Sequence, residues 1–157
     1  MGSIKNEQQI LSSFDFLSTQ NRIQDFFSFD ICKFEQMLRE KDELFWQKKG
    51  AERALKVFRA TAHRVPAYKD FLKKRRVNPD KVRTIRDFAH LPPTNKKNYI
   101  DQYPLHSRSW NGDDLYLHNI IAVNAGTTGA LRLWPRGGFQ ELEACITHEL
   151  TYRNFFE

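Results

Sequence analysis

The strongest chemical signal in the sequence lies between residues 124 and 132, which read Asn-Ala-Gly-Thr-Thr-Gly-Ala-Leu-Arg. Gly126 and Gly129 allow backbone conformations and close approaches that other residue types forbid. Thr127 and Thr128 add two hydroxyl groups, and Arg132 adds a fixed positive charge just beyond them. A loop of this kind can turn several N–H and O–H donors onto one phosphate group. The residue types therefore indicate phosphate binding.

The pattern differs from the two best-defined phosphate-binding motifs. It lacks the Gly-Lys-Ser/Thr ending of a Walker loop and the Gly-x-Gly-x-x-Gly spacing of a dinucleotide-binding fold. By composition alone, a Gly/Thr-rich connection between two apolar runs is also typical of a plain hairpin loop. Taken alone, the loop is compatible with both interpretations.

Two short apolar runs must position this loop. Residues 119–123 are rich in β-branched side chains and predict a buried strand, and residues 130–134 predict a second strand. Residues 135–138 (Pro-Arg-Gly-Gly) predict a turn. A final helix is predicted from about Phe139. Four of its apolar residues lie near one face: Leu142, Ile146, Leu150 and Phe155.

A long helical pattern precedes the strands. Ser28 or Asp30 is predicted to cap it, and Gly50 interrupts it, so that either one bent helix or two consecutive helices are expected. The pattern ends before Pro66, because the residue that precedes a proline is disfavoured in the helical conformation. Pro66 is itself suited to open the next helix, over 66–76.

Shorter helices are predicted after that, separated by prolines. Thr84 and Asp87 have the spacing of a capping box, in which the hydroxyl and the carboxylate each bind a free backbone N–H. Thr94 is predicted to cap another helix over 95–103, which Pro104 ends.

Composition and length bound the class of protein. The chain has 157 residues, 40% of them apolar and 13% aromatic, which fits one domain with a packed core and excludes a disordered or low-complexity protein. No apolar run approaches the roughly 20 residues of a membrane span, and no secretory leader is recognised. Cys32 and Cys145 lie far apart in the sequence, so we expect a reduced, cytoplasmic protein.

The charge balance favours anionic partners in general. Lys and Arg total 25 against 19 Asp and Glu, a formal charge of +6. The densest basic run is 73–76 (Lys-Lys-Arg-Arg), for which a solvated helix face is the expected role. Tyr68, Phe71 and Leu72 have a helical spacing that fits core packing better than base stacking. Nucleic acid is therefore not expected as a partner, although a strongly salt-dependent affinity for RNA or DNA would favour it.

No metal site and no catalytic residue are assigned from spacing. Cys145 and His148 are three residues apart on the last predicted helix, but zinc normally requires four ligands and no second pair accompanies them. A buried Cys145 beside a surface His148 is expected. Trp134 follows the loop, and we expect it to pack or to line a ligand pocket.

The loop resembles that of the adenylate-forming (AMP-binding) superfamily, which is rich in Ser, Thr and Gly and ends in a small or aliphatic residue followed by Lys or Arg. Residues 125–132 match this pattern position by position, and Asn124 replaces the usual first Ser, Thr or Gly. Upstream residues are similar to the phenylacetate–CoA ligase-like branch, in order and in separation. These are Val-Pro-Ala-Tyr at 65–68, Thr-Ile-Arg-Asp-Phe at 84–88 and Leu-Pro-Pro-Thr-Asn-Lys-Lys at 91–97.

The resemblance implies an enzyme that uses ATP to convert a carboxylic acid into an acyl-adenylate, releases pyrophosphate, and then usually transfers the acyl group to coenzyme A. ATP, an unidentified acid and Mg²⁺ are the implied ligands. Arg132 can pair with a phosphate through two hydrogen bonds, where a lysine would act as a point charge. The implied contacts to the β- and γ-phosphates are Asn124, Ala125, Gly126, Thr127, Thr128, Gly129 and Arg132.

In this superfamily the adenine pocket, the magnesium-binding Glu, the ribose-binding Asp and the catalytic Lys lie well beyond the loop, whereas this chain stops at Glu157. We therefore expect the N-terminal portion of a larger ligase, inactive alone, with its Mg²⁺ ligands outside this chain. Self-association through surfaces that the missing part would cover is also expected.

The expected fold class is helix-rich α/β, with N-terminal helices leading into the first strand–loop–strand of a larger α/β domain. The predicted divisions are an arm (1–28), a helical region (29–118) and the start of a nucleotide-binding domain (119–157). Two other functions stay open at this point. One is a non-catalytic phosphate- or nucleotide-binding module, and the other is a basic helical module that contacts nucleic acid or an anionic surface.

Overall fold

The computed structural model describes residues 30–112, 119–125 and 131–155. They are rich in helix and include a small antiparallel sheet, in agreement with the predicted helix-rich α/β class. The chain divides into two compact units: Asp42–Leu117, and a second unit that combines Met1–Lys41 with His118–Glu157. The three predicted divisions, with boundaries after residues 28 and 118, stay a prediction.

The first helix, α1 (Ile31–Glu40), begins where one of the two predicted caps stands. The Asp30 carboxylate accepts a hydrogen bond of 2.9 Å from the Lys33 N–H, which satisfies a donor that has no partner within the helix. Asp30 is thus confirmed as the cap, and Ser28 lies outside the described residues.

Of the two predicted alternatives, two consecutive helices are confirmed, but the interruption at Gly50 is wrong, because the first helix ends at Glu40 and the second begins at Glu43. The second helix, α2 (Glu43–Arg64), begins after Asp42, whose carboxylate accepts a hydrogen bond of 2.8 Å from the Phe45 N–H. Gly50 lies inside α2, where a glycine is tolerated at a cost of about 1 kcal/mol relative to alanine. A capping carboxylate at position 42 therefore sets the boundary, and the glycine does not.

The proline prediction is confirmed at the next junction. Val65 is extended, with φ −101° and ψ 108°, and the third helix, α3 (Pro66–Lys74), opens directly on Pro66. The fixed φ of proline suits the first position of a helix, where its missing N–H would have no partner. The helix ends two residues earlier than the predicted span of 66–76.

Short helical turns complete the helical unit. The fourth α-helix is α4 (Ile85–Ala89), and 3₁₀ turns lie at Pro79–Lys81, His106–Arg108 and Trp110–Gly112. The capping box before α4 is confirmed. The Thr84 hydroxyl accepts a hydrogen bond of 3.2 Å from the Asp87 N–H, and the Asp87 carboxylate accepts one of 2.9 Å from the Thr84 N–H.

The predicted helix over 95–103 is wrong in its cap and in its length. Asn95, rather than Thr94, forms a reciprocal pair of side chain–backbone hydrogen bonds with Asn98, of 2.7 and 2.9 Å. The helix is a single π-helical turn, Lys96–Ile100. Each amide oxygen accepts a hydrogen bond from the backbone N–H of the other residue, so Asn95 and Asn98 can close the box at a start that the sequence pattern assigned to Thr94.

The core of the helical unit lies between α2 and α3. Its buried members are Phe58, Ala62, Phe71, Leu72 and Val82. Aromatic rings extend it outward: Tyr99 meets Phe71 edge-on at 5.5 Å between ring centroids, and Tyr68 is half-buried beside them. The predicted apolar face of α3 is thereby confirmed.

The described part of the second unit contains two strands and two helices. Strand β1 (Asn119–Ala125) pairs antiparallel with β2 (Leu131–Gly137), and the last helix, α5 (Gly138–Phe155), follows without a connection. The Arg39 guanidinium of α1 donates a hydrogen bond of 3.0 Å to the Asn154 side chain of α5.

The predicted turn at 135–138 is wrong, because residues 135–137 belong to β2 and Gly138 begins the helix. The Gln140 side chain accepts a hydrogen bond of 2.9 Å from the Gly137 N–H. That bond satisfies a backbone donor at the helix start, so the strand can pass directly into α5. The helix itself begins within a residue of the predicted Phe139.

Candidate functional site

The predicted phosphate loop connects the two strands of a hairpin. Ala125 is the register partner of Leu131, so the five-residue connection 126–130 starts and ends at directly paired positions. One pair further from the connection, Asn124 is the register partner of Arg132. The hairpin expected for a Gly/Thr-rich connection is therefore present.

The hairpin brings some of the predicted site positions together. Asn124 and Ala125 end β1, and Arg132 lies in β2 directly across from Asn124. The four central residues of the predicted site, Gly126, Thr127, Thr128 and Gly129, lie outside the described residues.

The prediction that 119–123 forms a buried strand is wrong. Ile120 and Val123 are each 55% exposed, and Ile121 is 46% exposed. Two paired strands have two faces and no second layer of their own, so neither face is covered unless another element packs on it. The strand is apolar as expected, but its apolar side chains face solvent in the described part of the chain.

Trp134 lies on the hairpin beside the loop. Its register partner is Ala122, two residues before Asn124, and 38% of its surface is exposed. Because strand positions alternate between faces, Ala122 and Trp134 occupy the same side of the hairpin as positions 124 and 132. Position 134 therefore shares a side of the hairpin with two of the predicted contact positions, 124 and 132.

One ion pair attaches the hairpin to the helix that follows it. The Arg136 Nε atom lies 2.8 Å from Glu141 Oε1, and both side chains are partly exposed. That carboxylate oxygen is buried, yet it receives no hydrogen bond of good geometry from the described residues. The contact is thus an electrostatic one, which fixes the end of β2 against the first turns of α5.

The described residues offer no metal centre. Within 30–112, 119–125 and 131–155, no group of three His, Cys, Asp or Glu residues could hold a metal ion. Cys145 is exposed rather than buried as predicted, and His148 is exposed as expected. Residue 145 lies on a side of α5 that no described element covers, which the apolar spacing of this helix did not indicate.

The helical unit contains a polar cluster of Asp70, Lys74 and Tyr103 that the sequence analysis did not predict. The Tyr103 hydroxyl donates a hydrogen bond of 2.7 Å to Asp70 Oδ2, and the Lys74 ammonium lies 2.7 Å from the same oxygen. The hydrogen bonds from Lys74 and Tyr103 hold the pKa of the Asp70 carboxyl below its usual range. Asp70 and Lys74 are spaced four residues apart on a predicted helix, which is a readable signal, but nothing in the sequence joins them to Tyr103.

The basic run 73–76 is exposed throughout, as expected for a solvated helix face. The Arg75 guanidinium lies 3.6 Å from the centroid of the Phe71 ring, so its planar group covers that ring on the outside. Phe71 is completely buried, and Tyr68 is half-buried with its ring stacked on that of Phe71, which fits core packing better than base stacking.

Within the described residues, no helix is long and apolar enough to cross a membrane. Searches for known relatives give no match: no protein-family model, no curated protein and no solved structure matches the chain.

Proposed function

We propose that this chain supplies the phosphate-binding hairpin of an adenylate-forming ligase. In that reaction a carboxylate attacks the α-phosphorus of ATP, an acyl-adenylate forms and pyrophosphate leaves, and the acyl group then passes to coenzyme A. The observation that carries the proposal is the pairing of Ala125 with Leu131, which places both ends of the Gly/Thr-rich connection side by side. The resemblance of residues 125–132 to the loop of that superfamily supports it.

The length of the connection suits this role. Five residues between paired strand ends is within the usual range for hairpin loops, and glycine at two of them permits positive φ angles. Polyphosphate is bound best where many donors converge on it from a short segment of chain. In the proposed site, the hydroxyls of Thr127 and Thr128 donate to the β- and γ-phosphates together with neighbouring backbone N–H groups.

Arg132 and Asn124 are proposed to act at the base of the loop. They occupy paired positions on the two strands, which supports the proposal that both contact a phosphate held by the loop. A guanidinium presents a rigid set of donors that matches two phosphate oxygens, and an amide N–H can donate to a third. The chain's residues thus bind and orient the triphosphate, and no step of the proposal uses Mg²⁺, for which the described residues offer no ligand set.

Binding of ATP to the purified chain tests this proposal. Thr127→Ala/Thr128→Ala removes two hydroxyl donors, each worth about 1.5 kcal/mol to a charged acceptor, so affinity falls about 100-fold. A matched control is Thr147→Ala/Thr151→Ala on α5, where each hydroxyl bonds only a backbone carbonyl of its own helix, at 2.9 and 2.8 Å. Equal ATP affinity of the two double variants would contradict the assignment of the loop.

A second measurement separates the ligase from a non-catalytic nucleotide-binding module. A longer protein that contains this chain and the rest of the ligase should release pyrophosphate from ATP in the presence of a carboxylic acid, and the isolated chain should not. Carboxylate-dependent release by the isolated chain would contradict the proposal that the remaining catalytic residues lie outside it. ATP binding without release by the longer protein would favour the non-catalytic module.

A further inference from the structure

Charge is divided unevenly between the two units. Residues 42–112, the described part of the helical unit, contain 17 Lys and Arg and 7 Asp and Glu, a formal charge of +10. Asp113 and Asp114 also belong to this unit and bring its formal charge to +8, whereas the second unit, with 8 Lys and Arg and 10 Asp and Glu, has a formal charge of −2. The whole-chain charge of +6 therefore conceals a strongly basic helical unit. Such a unit attracts polyanions over distances of about a Debye length, roughly 10 Å at moderate salt.

Part of this charge forms a defined surface on α3. Lys69 and Lys73 are one helical turn apart and exposed, whereas Phe71 and Leu72 between them are buried. Among the described residues, no ion pair engages Lys69, Lys73 or Arg76.

The one acidic side chain on α3, Asp70, acts on Lys73 only as the weakest of its charge interactions. Asp70 is bound by Lys74 at 2.7 Å and by the Tyr103 hydroxyl, so its carboxylate is already compensated. We call Lys69 and Lys73, together with Arg76 two residues beyond the end of the helix, the basic surface of α3. Its net charge is carried by side chains that face solvent.

Arg76 occupies a backbone conformation that favours glycine. Its φ is 57°, in the left-handed region. The helix closes with hydrogen bonds of 3.0 Å from the Arg76 N–H to the Lys73 carbonyl and from the Val77 N–H to the Leu72 carbonyl. This is the Schellman pattern, in which the residue at position 76 is usually glycine because a side chain there strains the backbone.

A role for the arginine charge accounts for this strained position. Basic residues in the last turn of a helix stabilise it through the helix dipole, and Lys73 and Lys74 already stand there. Arg76 lies beyond that turn, so the fold gains little from its charge while it bears the strain of its side chain. Strain of this kind is typical of positions that serve binding.

We propose that the basic surface of α3 binds the phosphate backbone of double-stranded nucleic acid without reading its sequence. A duplex carries one negative charge per roughly 1.7 Å of its axis, and cations that neutralise these charges release bound counterions. This interaction needs no aromatic platform. Phe71 and Tyr68 are packed in the core, which disfavours stacking of unpaired bases and hence a single-stranded partner.

An anionic membrane fits the surface less well. Proteins that bind in the membrane interface place exposed apolar side chains next to their basic ones. Pro66 is the one exposed apolar residue of α3, and the others are buried or half-buried, so the surface presents no large apolar side chain to a membrane. The proposal does not depend on the proposed ligase function, since it concerns the helical unit alone.

The test is the salt dependence of binding to a short mixed-sequence duplex, measured by fluorescence anisotropy with the full chain. Lys69→Gln/Lys73→Gln/Arg76→Gln should lower the slope of log K against log salt by about 3, because each lost phosphate contact changes it by about 0.9. The matched control removes the same charge from exposed positions on α2: Lys48→Gln/Lys56→Gln/Arg59→Gln. The control should change the slope by much less.

A single variant distinguishes binding from a structural role. Arg76→Gly removes the charge and also the strain, so it should raise the thermal midpoint by roughly 4 °C while lowering the slope by about 1. A purely structural Arg76 would give the higher midpoint with unchanged binding, which would overturn its part in the surface.

Three other results would overturn the proposal as a whole. The first is no binding to the duplex at low salt. The second is binding to phosphatidylserine vesicles without binding to the duplex. The third is an equal loss of affinity in the α3 and α2 triple variants, which would show that net charge alone attracts the duplex.

Discussion

The Tyr103 hydroxyl donates a hydrogen bond of 2.7 Å to Asp70 Oδ2, and so joins the segment after the π-helical turn to the exposed side of α3. Lys74 shares the same carboxylate oxygen, at 2.7 Å. Its ammonium also lies 5.2 Å from the centroid of the Tyr103 ring. This one carboxylate therefore orders two segments that are separated by 33 positions in the sequence.

The cluster of Asp70, Lys74 and Tyr103 should make the stability of the fold sensitive to acid. The pKa of Asp70 is lowered, first by its hydrogen bond from Lys74 and then by that from Tyr103. A carboxyl whose folded pKa lies below its unfolded value of 3.8 stabilises the fold above that value and loses this stabilisation as the pH falls through the folded pKa. Urea unfolding measured in steps below pH 4 should therefore show a shallower decline for Asp70→Asn than for the unchanged chain.

Two further variants compare how strongly Lys74 and Tyr103 lower the pKa of Asp70. Lys74→Gln should flatten the acid decline more than Tyr103→Phe does, because the Lys74 bond is the larger cause of the lowered pKa. The reverse order would assign the main effect to the tyrosine. Asp70 is largely solvent-accessible, so the differences should be small and should shrink in high salt.

The loss of folding stability at alkaline pH should come in part from Tyr99. Desolvation within the aromatic cluster raises its pKa to about 12. A raised folded pKa means that the neutral phenol is favoured in the folded chain, so this stabilisation is complete below about pH 10 and is lost as the pH rises toward 12.

The measurement is the free energy of unfolding between pH 9 and 12 for Tyr99→Phe, which should decline less steeply than that of the unchanged chain. Tyr152→Phe is the matched control, since Tyr152 is 62% exposed on α5. Its decline should equal that of the unchanged chain. An identical pH profile for Tyr99→Phe would show that the Tyr99 hydroxyl is no more buried in the folded chain than in the unfolded one.

Local rules predicted the helix boundaries of this chain where a single residue controls them. Pro66 fixes its own φ and restricts Val65, and Asp30 offers a carboxylate to the first free N–H groups, so both effects are readable from neighbouring positions. Gly50 shows the opposite case. A helix interior tolerates one glycine when the surrounding turns are stabilised elsewhere, and the cap at Asp42 was a stronger local signal.

Burial was harder to predict than secondary structure. The run 119–123 has the composition of a buried strand, but burial depends on a covering layer, and strand composition cannot show whether one is present. The pairing of Tyr103 with Asp70 cannot be predicted from the sequence for a related reason, because it depends on how two segments 33 positions apart pack. For the candidate site, the sequence predicted the hairpin and its flanking positions, and the central residues 126–129 lie outside the described part.

The π-helical turn offers a test of which residue caps it. Asn95→Ala removes a side-chain acceptor for the Asn98 N–H, a bond of 2.9 Å, and should destabilise the chain by about 1 kcal/mol. Thr94→Ala, the cap expected from the sequence, should change stability by less than about 0.5 kcal/mol. The urea midpoints of the two variants are compared. A larger effect of Thr94→Ala would show that Thr94, and not Asn95, caps the turn.

The strongest effect on stability should come from Phe71, which is completely buried between α2 and α3 and meets Tyr99 edge-on. Phe71→Leu keeps most of the apolar volume but loses the ring contacts, each worth about 0.5–1.5 kcal/mol beyond buried area. Phe71→Ala removes the ring entirely and should cost about 3–5 kcal/mol, a large fraction of the roughly 5–15 kcal/mol by which an ordinary domain is stable. Phe155→Ala, at a position that is 79% exposed on α5, should lie within about 0.5 kcal/mol of the unchanged chain. If Phe71→Leu and Phe155→Ala had equal effects on the urea midpoint, the aromatic cluster would contribute nothing beyond the area it buries.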